Sequence, residues 1–141
     1  MDNLNFDLAQ MPLRDLNRFL HKEAVERGIK RVTVQHPDGT HNIAVGLDVP
    51  IAVDIEGHAG YYAAGMLKHG EVTIHGNAGT GVAENMMSGK VHVKGFASVS
   101  AGASAHGGLL VVDGDASLRC GISLKGGDIV VGGSVGSFSG F

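Results

Sequence analysis

Between residues 12 and 27 apolar side chains recur at helical spacing, at Leu13, Leu16, Phe19, Leu20 and Ala24. Arg14, Asp15, Arg18, Lys22, Glu23 and Glu26 fall on the opposite face. The spacing predicts one amphipathic helix, opened by Pro12, whose missing N–H costs nothing in a first turn, and closed by Gly28. The period then changes to two. Arg31-Val-Thr-Val-Gln35 alternates apolar and polar, Pro37-Asp38-Gly39 carries turn chemistry, and residues 41–45 are expected to return as a second strand. Helix and short β ribbon together are read as a cap over residues 1–50, with Gly46 and Pro50 marking the join to a second region, 51–141.

That second region repeats. From Ala52 the chain falls without a gap into rows of nineteen residues: AVDIEGHAGYYAAGMLKHG, EVTIHGNAGTGVAENMMSG, KVHVKGFASVSAGASAHGG, LLVVDGDASLRCGISLKGG and the partial row DIVVGGSVGSFSGF. Row position 6 is Gly57, Gly76, Gly95, Gly114 and Gly133, and position 19 is Gly70, Gly89, Gly108 and Gly127. Positions 2 and 4 are apolar in every row (Val53, Val72, Val91, Leu110, Ile129; Ile55, Ile74, Val93, Val112, Val131), which is the alternation of a short strand with one buried face. Position 8 (Ala59, Ala78, Ala97, Ala116, Val135) and position 13 (Ala64, Ala83, Gly102, Gly121, Gly140) admit only small side chains. Rows this short and this rich in glycine cannot be helix pairs, because each interior glycine costs a helix about 1 kcal/mol. The predicted fold is all-β, a parallel β-helix of nineteen-residue coils preceded by one α-helix and a short β ribbon. The last row stops after fourteen residues without a polar cap, so either a partner completes the open end or, as expected, the chain is a fragment truncated at its C-terminus.

Composition agrees with that architecture and narrows the function. Of 23 glycines in 141 residues, twenty lie from Gly57 onward, where stacked coils use them as corners and close approaches. The net charge is -3 with no block of Lys or Arg, which argues against nucleic acid or anionic lipid as partner. Cys120 is the single cysteine, so no intramolecular disulfide forms; with no signal-like N-terminus and no long apolar stretch, a cytoplasmic protein outside the membrane is expected.

Catalytic chemistry is not visible. The repeat histidines His58, His69, His75, His92 and His106 occupy five different row positions, so no histidine ladder and no metal site is expected, and the calcium-binding GGxGxD pattern is absent. GNAGTG over residues 76–81 matches a phosphate-loop string but lacks the Lys-Ser/Thr and helix N-terminus that would hold phosphate, and repeat corners explain it better. Cys120 aligns with Ala63, Val82 and Ala101 and reads as a small buried hydrophobe. Catalytic, cofactor-binding and metal residues are therefore expected to be none. Four positions stand out as candidate partner contacts. Glu84 and Asn85, with Met86, replace small or apolar residues, either as a polar bulge meeting a partner or as a solvated turn. Tyr62 adjoins Tyr61, so on a strand one faces in and one out, either as an interface anchor or packed under the helix. Arg119 is open either to a partner carboxylate or to solvent.

The strings GYYAAGM (60–66), GVAENMMSG (81–89) and RCGISLKG (119–126) resemble the GXGXG-motif β-helix family, typified by the C-terminal domain of the glutamate synthase large subunit. FDLAQMPLRDLNRFLH (6–21) and AVGLDVPI (44–51) are most similar to its stand-alone members, the subunits of N-methylglutamate synthase type. The resemblance implies a right-handed β-helix and a non-catalytic scaffold role within a glutamate-synthase-like complex. It further implies an amidotransferase-like partner and a synthase partner that carries FMN and an iron–sulfur cluster. A structural subunit of a formylmethanofuran dehydrogenase-type oxidoreductase is the alternative within the same family.

Overall fold

The computed structural model describes residues 3–141 and forms a parallel β-solenoid with one helix near its start. Seven strands make a single sheet in chain order, each parallel to the next: β1 (Asn3–Asp7), β2 (Arg31–Gln35), β3 (Asp48–Glu56), β4 (His69–Ile74), β5 (Lys90–Val93), β6 (Leu109–Val112) and β7 (Asp128–Val131). The predicted repeat is the physical one. Val53 pairs with Val72, Val72 with Val91, Val91 with Leu110 and Leu110 with Ile129, so each coil advances by nineteen residues and stacks like on like. Positions 2 and 4 point inward and are fully buried through β3 to β6, while positions 1, 3 and 5 face solvent. Single-residue parallel bridges Ala59–Ala78–Ala97–Ala116 run down position 8, where all four alanines are buried.

The two glycine positions have different causes. At position 19 Gly70, Gly89, Gly108 and Gly127 have φ between +84° and +98°, and a Cβ would also meet backbone of the preceding coil at 2.6–2.7 Å in three of them. At position 6 the backbone conformation is ordinary from Gly76 onward. There the obstacle is contact, since a Cβ on Gly76 would lie 2.7 Å from the carbonyl oxygen of Gly57.

The helix, α1, runs over 13–26, close to its predicted span. It is α-helical over Leu13–Arg18, widens to a π turn over Phe19–Glu23 and ends α-helical over Ala24–Glu26. Its apolar stripe, Leu16, Phe19, Leu20 and Ala24, is buried in one continuous core with Ile43, Leu47 and Ile51 of the first coil. The Asn17 amide clamps that coil, donating to the Asn42 carbonyl and accepting the Ala44 N–H, both at 2.9 Å.

The ribbon expectation needs correction. Residues 41–46 form turns instead of a returning strand, and β2 pairs in parallel with β1 and β3. Residues 31–51 are in fact a further coil, two residues longer than the others, because Arg31 pairs with Ala52, an offset of 21. One extra residue sits in the corner 36–41, since the Asn42 N–H bonds to Tyr61 as the Tyr62 N–H bonds to Thr80. The other lies in 48–51, where the β3–β4 register shifts. β1, which the pattern analysis did not anticipate, adds a rung through Leu4 and Phe6.

β1 is tied to the following corner by Asp7 and His36, 2.9 Å apart. Their hydrogen bond and mutual attraction raise the His36 pKa and lower that of Asp7. The imidazolium's contribution to stability is complete below its unfolded value of about 6.5 and is lost as pH rises through the higher folded value. The carboxylate's is present above about 4 and is lost as pH falls through its depressed folded value. The clip therefore holds best between about pH 4 and 6.5. In an NMR titration His36 is expected to titrate above 6.5, and Asp7→Asn to return it towards that value; a midpoint unmoved by the substitution would show that the pair does not form in solution.

Candidate functional site

Each coil closes through two successive β-turns, and these stack into one face of the solenoid. In each coil the N–H of position 14 donates to the carbonyl of position 11, as Gly65 to Tyr62 (2.9 Å), Glu84 to Gly81 (3.1 Å) and Ile122 to Arg119 (3.1 Å). Position 16 donates to position 13, as Met86 to Ala83 (3.2 Å). Left-handed φ recurs at alternate positions. Position 11 holds Asn42, Tyr62, Gly81, Ser100, Arg119 and Phe138, position 13 holds Ala44, Ala64, Ala83, Gly102 and Gly121, and position 15 holds Gly46, Met66, Asn85, Ser104 and Ser123. A positive φ at the third residue is the signature of a type II turn. For any residue but glycine it costs roughly 1–2 kcal/mol, Asn least. The cost is offset by bonds between coils: Tyr62 N–H to Thr80 (2.8 Å), Asn85 N–H to Ala103 (2.8 Å) and Arg119 N–H to Ser137 (2.9 Å).

Position 13 points inward and is buried, which explains its small side chains. Where it is glycine, the later coils fill the space through position 2, because a Cβ on Gly102 would lie 2.6 Å from Ile129 Cδ1 and 3.1 Å from Leu110 Cδ2. Positions 11 and 15 flank it and carry their side chains outward.

All four candidate partner contacts fall on this turn face. Tyr62, Glu84 and Asn85 line one shallow depression of about 380 Å³ with Asn42, Val45 and Met66. Glu84 and Arg119 line the next, about 440 Å³, with Ser100 and Phe138. Glu84 is common to both and half-buried. The sequence reading missed Asn42, whose membership follows once residues 31–51 are aligned as a coil, and Met66 and Phe138, which stand at row positions 15 and 11.

One local expectation is corrected here. Tyr61 and Tyr62 lie in turns and are both exposed, at 51% and 45%, instead of alternating across a strand or packing under the helix. Tyr61 stacks on His41 with ring centroids 4.4 Å apart, and Tyr62 lies over Gly81, where a Cβ would meet its ring at 2.5 Å. Glu84 and Asn85 continue these turns, the first half-buried and the second exposed, while Met86 is buried and Met87 exposed.

The solvent face of the sheet carries a separate set of pairs. Arg31 and His75 both bind Asp54, the latter at 3.2 Å, and His92 meets Asp113 at 2.8 Å. These couple neighbouring coils on the solvent face, beside a shallow depression of about 400 Å³ lined by Ala52, Glu71 and Lys90 with Lys30 and His69. Cys120 is buried, and desolvation holds its thiol above the ordinary value, which disfavours the nucleophilic thiolate. Among the described residues no group of three or more His, Cys, Asp or Glu is placed to hold a metal ion, and no helix is long and apolar enough to cross a membrane.

No family model matches the chain, and no solved structure matches it. Among curated proteins it is similar to Protein GlxC of Rhizobium meliloti (strain 1021), with 55% identity over 69 residues. The aligned segment is 48% of this chain and 29% of that relative, so the match spans under a third of GlxC.

Proposed function

We propose that this chain is a non-catalytic β-helix scaffold of a glutamate-synthase-like complex, of the N-methylglutamate synthase type. The observation that carries this reading is the gapless nineteen-residue glycine repeat realised as parallel coils, in company with the GXGXG-like strings and the similarity to GlxC. Six rung spacings separate β1 from β7, which makes a rigid spacer roughly 30 Å long. Such a rod, with ion pairs between coils on its sheet face and both aromatic and charged side chains on its turn face, can hold two larger subunits at a set distance and angle. In this reading an amidotransferase-like subunit and a flavin and iron–sulfur synthase subunit flank it, and the assembly converts glutamate and methylamine to N-methylglutamate and ammonia. FMN and the cluster belong to the synthase partner. An iron–sulfur cluster takes four thiolates, and Cys120 is the only cysteine available here.

The test is to isolate the full-length gene product with its bound polypeptides from native cytosol, identify them by mass spectrometry and record a visible spectrum. An amidotransferase-like chain together with a yellow-brown flavin and iron–sulfur protein is the expected outcome. A molybdenum or tungsten protein instead would transfer the scaffold to a formylmethanofuran dehydrogenase-type assembly, and a colourless, unaccompanied protein would overturn both.

A further inference from the structure

The turn face has three properties that together describe what it binds. Its backbone is spent, because the N–H groups of Tyr62, Asn85 and Arg119 are all donated to neighbouring coils, so a partner cannot add a strand there and recognition falls to side chains. Long side chains are kept where glycine would relieve strain: Tyr62, Arg119 and Phe138 share position 11 with Gly81, and Met66 shares position 15 with Gly46, all with left-handed φ. Backbone strain retained at an exposed site points to use of the side chain that bears it. Lastly, Glu84 and Arg119 form no ion pair among the described residues, although both line the same depression. They sit two coils apart, about 10 Å along the axis, a distance a polyproline II segment covers in one turn of three residues, at about 3.1 Å each, which returns the side chain to the same face.

We propose that this groove seats a segment of a partner subunit in the polyproline II conformation, running along the solenoid axis. A Lys or Arg of that segment meets Glu84, an Asp or Glu three residues along meets Arg119, and apolar side chains beyond the two charges lie against Tyr62 with Met66 and against Phe138. Charge complementarity fixes the direction of the segment, and the apolar ends exclude water from the two ion pairs. The inference rests on the scaffold reading, since it presumes a complex.

The experiment uses the complex recovered with the full chain. Glu84→Lys and Arg119→Glu are each expected to reduce recovery of the partner at least tenfold, and His92→Ala, on the sheet face, to leave it unchanged. Arg119→Gly separates binding from folding: the isolated chain is expected to melt a few degrees higher, because the strain is relieved, while partner recovery still falls. Wild-type recovery with both charge reversals would overturn the groove assignment and leave the scaffold reading standing. Failure of the unmodified chain to bring down any partner would overturn the scaffold reading itself.

Discussion

Gly95→Val is expected to destroy the fold, while His92→Ala three residues away leaves it intact. A Cβ on Gly95 would lie 2.8 Å from the Gly76 carbonyl oxygen and 2.9 Å from its carbon, and the Gly95 N–H already donates to that same oxygen at 2.9 Å. Neither atom belongs to a side chain that can rotate away. Gly76 cannot retreat, being stacked in its turn on Gly57. The only relief is to widen the spacing between the two coils, which breaks the inter-coil bonds nearby, such as Lys94 to Ile74 (2.9 Å) and Ser98 to Ala78 (3.0 Å), at about 1 kcal/mol each. The total reaches several kcal/mol, a large part of the stability of a domain this size. His92, by contrast, loses one exposed partner, Asp113, and the expected change is within about 1 kcal/mol. Urea unfolding followed by circular dichroism compares the two. Equal losses would mean that position 6 is not the tight contact between coils.

The repeat was legible because hydrogen bonding itself runs at its period: like residues stack, so a steric demand met once must be met again nineteen residues later. That logic covers the strands, both glycine positions and the small residues at positions 8 and 13. It fails for residues 31–51, where one extra residue in the corner 36–41 and another near Pro50 put Leu47 out of step with Leu67, although the two occupy equivalent sites and are both buried. A short alternating segment followed by Pro-Asp-Gly then reads as a hairpin, since nothing local distinguishes a strand that pairs with a rung below it from one that pairs with its own return. The turn face was half legible. Tyr62, Glu84, Asn85 and Arg119 stood out as departures from their positions, but the left-handed backbone at positions 11 and 15 is borne by glycine only at Gly81 and Gly46 and otherwise by residues such as Tyr62, Met66 and Arg119, so the double turn that gathers them did not show in the pattern.

Leu16→Ala is the substitution expected to cost most at the other end of the molecule, about 2–4 kcal/mol. Leu16 is fully buried, and the helix stripe it belongs to covers Ile43 and Leu47, themselves 0% and 1% exposed. Truncation leaves a cavity that the neighbouring Asn17 prevents from collapsing, because its amide holds Asn42 and Ala44 in place. A solenoid couples each coil only to its neighbours, so the damage is expected to be graded along the axis. Hydrogen exchange should quicken most in β1, β2 and the turns of coil 31–51, where the helix is the covering layer, and least in β5 and β6, three and four rungs beyond β2. Uniform acceleration across all rungs would show instead that the helix and every coil unfold together, and that the covering of the first coil stabilises the whole rod.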